Sequence, residues 1–467
     1  MRALHWFRSD LRLRDNPALC AAVRQSDAVV PVFVLDDRLL HGSRAGRARN
    51  RFLLDCLARL AAELDESGAP LVVRRGAPEL EIPKLLIETG AELLSFDADP
   101  SGFAQARDDA VRRAAGAAGV RVVAAPGGAV FPADAIRSSS GGVYQVYTPY
   151  RKVWYERLRE LAEPEPKPRL RPHGLSLASE PIPEPGDPGE LDLASFPAGG
   201  EPAARGRLRR FLEGRARDYG ETRDRPAEDG TSRLSPYLRF GAISARACVA
   251  AALDAAREDE AAAPGLYQWV DQLAWRDFYR AILTEHPRVA TRNFRSEFDG
   301  LRWEDDEAGF EAWCAGRTGY PIVDAGMRQL ARTGWMHNRV RMIVASFLTK
   351  DLLVDWRRGE RFFFERLVDG DPANNNGGWQ WAASTGTDAQ PWFRIFNPTR
   401  QGQRFDPEGA YVKRWVPELE GLDAKLVHTP WEAPLQAPDY PPPRVDHAER
   451  RALALERFEA ARERGKS

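Results

Sequence analysis

The sequence is poor in the residues that build metal sites, disulfide frameworks and membrane anchors. It holds four Cys, at 20, 56, 248 and 314, with no CxxC pair and no His nearby at ligand spacing. That excludes a zinc or disulfide scaffold and reads as small buried residues in a reducing cytosol. No apolar run approaches the roughly 18 residues that a membrane helix needs. The start, Met1-Arg2-Ala3-Leu4-His5-Trp6-Phe7-Arg8, has only a brief apolar stretch before Arg and Asp, so no secretory signal is expected. A dominant charge is missing too. The formal net charge is −1, so bulk charge announces neither nucleic acid nor membrane, and any basic surface must be a local patch. Lys is scarce; Arg carries nearly all the positive charge, a pattern that fits biased codon usage.

What is present is a soluble, globular composition, 43% hydrophobic and 29% charged, on 467 residues. That length suits two or three domains and a large core. Residues 1–130 alternate short apolar runs with helical patterns. Strands are expected at Ala3–Phe7, Ala28–Leu35, Leu71–Arg74, Glu92–Phe96 and Val120–Ala124, with helices near 17–25, 46–67, 78–89 and 103–118. Such alternation predicts a parallel sheet covered on both faces. The turn after the first strand, Arg8 to Pro17, lacks GxGxxG, so this is not an ordinary dinucleotide domain. Residues 131–200 lose periodicity and become rich in Pro, Glu and Gly, as expected of a long inter-domain linker. Residues 201–467 read as helical, with helices near 204–218, 243–257, 265–285, 321–333, 336–351, 360–368 and 446–463. Eleven of the thirteen Trp lie after residue 260, which places any aromatic chemistry in this half.

Five constellations stand out. Asp369-Gly370-Asp371-Pro372-Ala373-Asn374-Asn375-Asn376-Gly377-Gly378-Trp379-Gln380-Trp381 mixes acids, amides, glycines and tryptophans. A solvated loop would not hold two Trp, and Asn and Gly oppose a core helix. The mixture suits a polar ring system such as a flavin. Gly230-Thr231-Ser232-Arg233-Leu234-Ser235 offers N–H groups, hydroxyls and a guanidinium to a phosphate, or simply a Ser or Thr N-cap. Gln272, Trp275 and Tyr279 share one helical face, the alternative being a core-facing aromatic stripe. Trp335, Asn338 and Met342 fall on another face beside Arg341, which has a possible partner in Asp369. Trp303, Trp356 and Trp379 stand apart, as core residues or as one-electron relays.

Taken together and in order, these motifs resemble the cryptochrome/photolyase family, closest to the bacterial class I enzymes that repair cyclobutane pyrimidine dimers. The resemblance runs from Trp6-Phe7-Arg8-Ser9-Asp10-Leu11-Arg12-Leu13 through Trp275-Arg276-Asp277-Phe278-Tyr279, Thr318-Gly319-Tyr320-Pro321 and Gly334-Trp335-Met336-His337-Asn338-Arg339. It ends with Asn375-Asn376-Gly377-Gly378-Trp379-Gln380-Trp381 and Phe396-Asn397-Pro398. It implies an α/β plus all-α chain: an N-terminal Rossmann-like antenna-type domain (1–130), a linker (131–200) and a helical FAD-binding catalytic domain (201–467). It further implies light-driven dimer repair by electron transfer from excited reduced FAD to a flipped-out lesion, with a (6-4) enzyme or blue-light sensor as alternatives.

On this resemblance, Tyr219, Thr231, Ser232, Arg233, Leu234, Ser235 and Trp269 hold the phosphates, ribityl chain and adenine side of FAD. Arg341, Asp369, Gly370 and Asp371 border the isoalloxazine, with Asn375 at N5. Trp379, Trp356 and Trp303 match the photoreduction chain. Gln272, Trp275, Asn338, Met342 and Trp381 match lesion contacts, and Arg223, Arg339 and Gln401 match positions touching DNA. The implied partner is UV-damaged DNA, met by a cytoplasmic monomer without membrane, metal or obligate protein partner. Two residues depart from the pattern. Dimer-repair enzymes usually carry Glu at Gln272, whereas Gln is usual in (6-4) enzymes; those also use His at Asn338 and Met342, and this chain has neither. Folate-binding members often present Asn-Glu ahead of a helix near Ala106, where this chain has Phe103 and Ala104, so a deazaflavin, a folate or no antenna stays open.

Overall fold

Five runs rich in Val, Leu and Phe become five parallel strands: β1 (Arg2–Phe7), β2 (Ala28–Leu35), β3 (Val72–Arg75), β4 (Leu93–Ala98) and β5 (Arg121–Pro126). The computed structural model describes residues 1–43, 45–99, 101–126 and 128–465. Strand order is β3-β2-β1-β4-β5, with Leu4 opposite Val30 on one side and Leu94 on the other. Crossovers are made by α1 (Pro17–Gln25), α2 (Arg47–Glu66), α3 (Pro78–Thr89) and α4 (Gly102–Ala117). Helices on both faces explain why the strands are continuously apolar rather than alternating. Helix α4 starts at Gly102, with Ser101 as its cap, so Phe103 and Ala104 lie inside its first turn rather than ahead of it.

The chain forms two compact units. One joins Met1–Asp187, Pro197–Arg217 and Ser232–Pro287; the other joins Pro188–Phe196, Asp218–Thr231 and Arg288–Ser467. The first therefore groups the sheet with helices α5 (Tyr147–Arg157), α6 (Glu201–Arg210), α7 (Ser235–Arg239), α8 (Ala245–Glu258) and α9 (Ala263–Glu285). The turn after β1 is a packing surface in this unit. Leu11 N donates to Phe240 O at 3.0 Å and Arg12 Nη1 to Gly241 O at 3.0 Å. A Cβ on Gly241 would lie 2.1 Å from Ser9 O, and its φ is +63°, so only glycine fits. The linker is not free either. Glu180 N donates to Val73 O, so this stretch pairs with the edge strand β3. Asp277, fully buried, accepts Val130 N, Phe131 N and Trp154 Nε1, tying two linker pieces to α9.

The second unit is helical: α10 (Glu307–Cys314), α11 (Pro321–Thr333), α12 (Asn338–Ser346), α13 (Trp356–Arg366), α14 (Pro372–Ala383), α15 (Pro398–Phe405), α16 (Ala410–Trp415) and α17 (His447–Arg464). Its core gathers Trp313, Phe347, Leu348, Trp356, Trp379 and Tyr411. The expected helix 336–351 begins only at Asn338 and gives way to a π turn, Phe347–Asp351. Trp335 consequently lies in the turn before α12, not on a helical face with Asn338 and Met342. The helix expected at 204–218 likewise ends at Arg210 and continues as a π turn, Phe211–Arg215. No helix among the described residues is long and apolar enough to cross a membrane.

Helix α14 corrects the largest expectation. The segment judged too rich in Asn and Gly for a helix is one. Three Asn and two Gly cost it roughly 4 kcal/mol in propensity. Asp371 caps its N-terminus by accepting from Asn374 N, and Pro372 occupies the first helical position, an offset of about 1 kcal/mol. Burial of Trp379 supplies about 3 kcal/mol more. The Trp379 ring lies so close to α13 that a Cβ on Gly359 would come within 2.1 Å of it.

Candidate functional site

Helix α14 and the turn before it carry a polar cluster of the second unit. Arg341 Nη2 donates to Asp369 Oδ2 at 2.9 Å, and Arg341 Nε to Met336 O at 2.8 Å. The pairing suggested by the sequence is therefore formed. The Asp369 side chain is only 3% exposed, yet its Oδ1 is buried without a hydrogen-bond partner among the described residues. A buried unpaired acceptor costs about 1–3 kcal/mol, so this oxygen calls for a donor. Asn375 Nδ2 donates to Glu360 O at 2.9 Å and Glu360 Oε1 at 3.1 Å, which orients the amide. Asp371 serves as the helix cap, and Gly370 lies buried between the two acids. Glu360 carried no sequence signal; it lies on α13, outside the recognisable motifs, and reaches Asn375 of α14.

The C-terminal end of α14 rests on a buried lysine amine. Lys350 Nζ donates to Ser384 Oγ at 3.0 Å and Ala383 O at 3.4 Å, and lies 3.4 Å from the Phe458 ring centre. Ser384 ends α14 in the left-handed conformation, φ +65°. Burial pushes the Lys350 pKa well below its ordinary value. Neighbouring Asp351, also buried, is raised to about 6 by the same desolvation, against the opposing pull of His447 at 2.5 Å.

The three isolated tryptophans differ in setting. Trp379 is buried, with Phe363 at 4.9 Å and Trp313 at 6.0 Å between ring centres. Trp356 is buried and its Nε1 donates to Asn293 Oδ1 at 2.8 Å. Trp303 is half-buried, edge-on to Phe458 of α17 at 6.5 Å.

In the first unit, Trp269 is buried on α9 and its Nε1 donates to Ser232 Oγ at 3.1 Å. Helix α7 is a five-residue turn capped by Leu234 without a side-chain bond, so the simple Ser or Thr N-cap does not occur. Arg233, at φ +49°, and Ser235 are exposed, and Leu234 is buried. Gln272, Trp275 and Tyr279 lie on the partly exposed face of α9, while Trp269, Val270, Leu273, Ala274, Asp277 and Phe278 are buried. The stripe is thus not the core face. Gln272 Nε2 donates to Gln268 O at 3.2 Å, which holds the amide along its own helix.

The remaining candidates belong to the second unit. Tyr219 is buried under the Arg223 guanidinium at 5.5 Å, and Thr231 is partly buried. Arg339 forks onto Asp224, 2.8 Å from Nη2 and 3.2 Å from Nε, and lies 4.4 Å over Phe405. Asp224 was invisible as a partner because it lies 115 residues away. Asn338 is exposed at the start of α12; Met342, Trp381 and Gln401 are partly buried.

Two family models match the chain: "DNA photolyase" over residues 3–170 and "FAD binding domain of DNA photolyase" over residues 269–460. The chain belongs to the DNA photolyase family. It is 43% identical to the deoxyribodipyrimidine photo-lyase of Halobacterium salinarum, over 98% of this chain and 99% of that one. It is 42% identical to the Escherichia coli deoxyribodipyrimidine photo-lyase, over 98% of each. Among solved structures, a class III photolyase from Agrobacterium tumefaciens superposes with TM-score 0.87 at 38% identity, covering 99% of this chain and 98% of that one. FAD is the cofactor of this photolyase family domain. The residues present fit it: Asp369 Oδ1 is a buried acceptor awaiting a ring or hydroxyl donor. The Asn375 amide, tethered through its nitrogen, keeps its oxygen without a protein donor among the described residues.

Proposed function

We propose that this chain splits cyclobutane pyrimidine dimers in UV-damaged DNA under visible light. Near full-length identity of 42–43% to relatives named deoxyribodipyrimidine photo-lyase carries the reading. FAD supplies, when bound, the light-absorbing one-electron donor of the reaction. The chain's own residues bind, orient and exclude water. Tyr219, Thr231 and Ser232–Ser235 hold the phosphates and ribityl chain, and Trp269 lines the adenine side. The Arg341–Asp369 pair, with Gly370 and Asp371, would border the polar edge of the ring, and Asn375 would offer its amide oxygen toward N5. Trp303, Trp356 and Trp379 would serve as a one-electron relay between the surface and the cofactor.

On the DNA side, Arg223, Arg339 and Gln401 take the backbone, a binding mode that weakens steeply with salt. A dimer stacks and pairs poorly, so flipping it out costs little. Gln272, Trp275, Asn338, Met342 and Trp381 receive it. Neither Asn338 nor Met342 can transfer a proton as an imidazole would, which favours the cyclobutane dimer over the (6-4) product. A monomeric state and a cytoplasmic location complete the reading, with 1–130 as the antenna-type domain, whether or not it carries a chromophore, 131–200 as linker and 201–467 as catalytic region. The test is survival of a UV-irradiated, repair-deficient bacterial strain expressing the chain. A gain only under visible light is expected; no gain in light, or an equal gain in darkness, would overturn the reading and favour a sensor.

A further inference from the structure

Trp275 does not stand alone on α9. Tyr147, the first residue of α5, lies flat against its indole, with ring centres 3.7 Å apart and planes 13° apart. Phe278 meets both rings edge-on, at 5.8 Å from Tyr147 and 5.6 Å from Trp275. The Tyr147 hydroxyl donates to Asp271 O at 2.9 Å, one helical turn before Trp275. The Asp271 carboxylate in turn accepts Arg151 Nε at 2.6 Å and Tyr155 hydroxyl at 2.9 Å. Residues 147, 151 and 155 recur every four positions and so share one face of α5. That face grips the turn of α9 that presents Trp275. A segment that reads as linker thereby supplies the backing of a site residue.

We infer that Tyr147 is a positioning residue for the lesion. It covers one face of the Trp275 indole and fixes the plane in which the other face and edge meet the flipped dimer. The inference rests on the reading of Trp275 as a lesion contact. An indole without this backing keeps its contacts but must be ordered at the moment of binding, which lowers affinity for the dimer and not for undamaged duplex.

The experiment measures dark binding of the flavin-loaded protein, by fluorescence anisotropy, to a duplex with one cyclobutane dimer and to its undamaged counterpart. Tyr147→Leu should loosen dimer binding roughly three- to tenfold, the value of a lost aromatic pair. Undamaged-duplex affinity and flavin content should stay unchanged, and Tyr147→Phe, which keeps the ring, should bind as the parent does. In a Trp275→Ala background, Tyr147→Leu should cost nothing further. Equal cost in both backgrounds, or no cost in the parent while Trp275→Ala weakens binding, overturns the inference. Full dimer affinity in Trp275→Ala would instead remove Trp275 from the lesion site, and the inference with it. Should Tyr147→Leu lose flavin, Tyr147→Met, whose flexible side chain fills irregular gaps, is read on the same scale.

Discussion

Helix α9 runs 23 residues and sets its register with its own apolar face, whereas α14 runs 12 residues and is held by partners from elsewhere in the chain. On α9, burial of Trp269, Val270, Leu273, Ala274, Asp277 and Phe278 leaves Gln272 and Trp275 on the opposite side by periodicity alone. On α14, Asn375 is aimed by Glu360, Trp379 fits only because residue 359 is glycine, and the C-terminus rests on Lys350. Which face of α9 is buried is thus a local property, although Trp275 itself is backed by Tyr147, while on α14 each site residue depends on long-range contacts. On α9, Gln272 bonds along its own helix and tolerates change, whereas Asn375 and Trp379 on α14 are each coupled to a neighbour on α13.

That difference can be broken or sharpened by substitution. The largest effect is expected at Trp379→Phe, which should abolish light-driven reduction of the oxidised cofactor yet leave repair by chemically reduced protein largely intact; absorbance under illumination, followed by a repair assay, checks both halves. Asn375→Ala should leave the fold standing and speed air oxidation of the reduced cofactor by roughly tenfold, the value of one hydrogen bond to a charged group. Unchanged reoxidation would remove Asn375 from the ring's edge. Lys350→Met keeps the apolar stem and removes the ammonium. Because the folded-state pKa of Lys350 is depressed, its favourable share of stability is present above the unfolded value near 10.5 and is lost as pH falls. The parent should therefore gain thermal stability from pH 7 to 10 by more than Lys350→Met does. An identical slope in the two proteins would mean that Lys350 stays protonated in the folded chain across that window, which would contradict the burial effect. Gln272→Glu, on the tolerant helix, should shift stability by less than about 0.5 kcal/mol. It should tighten dimer binding a few-fold, since a carboxylate makes stronger hydrogen bonds than an amide.

The same contrast explains what could be read before the structure. Helices 17–25, 78–89 and 321–333 and strand 28–35 have the bounds that their apolar patterns suggested. Each is specified by its own residues. Helix α14 was misjudged because propensity was weighed without the packing that overrides it, although Asp371-Pro372 is a helix-start signal. Helix α5 was missed because its face of Tyr147, Tyr150 and Trp154 packs on aromatic neighbours rather than on an aliphatic stripe. In the site, the Arg341–Asp369 pair was legible because complementary charges lie in two recognisable motifs. Glu360 and Asp224 were not, since nothing in a sequence marks a lone acid that reaches across from a distant helix or turn.

The most direct measurement is illuminated repair of two defined oligonucleotides, one with a single cyclobutane dimer and one with a single (6-4) product, by reduced flavin-loaded protein. The account predicts reversal of the cyclobutane dimer, in light and not in darkness, with the (6-4) product left intact. Intact dimers alongside reverted (6-4) products, or reversal without light, would contradict it.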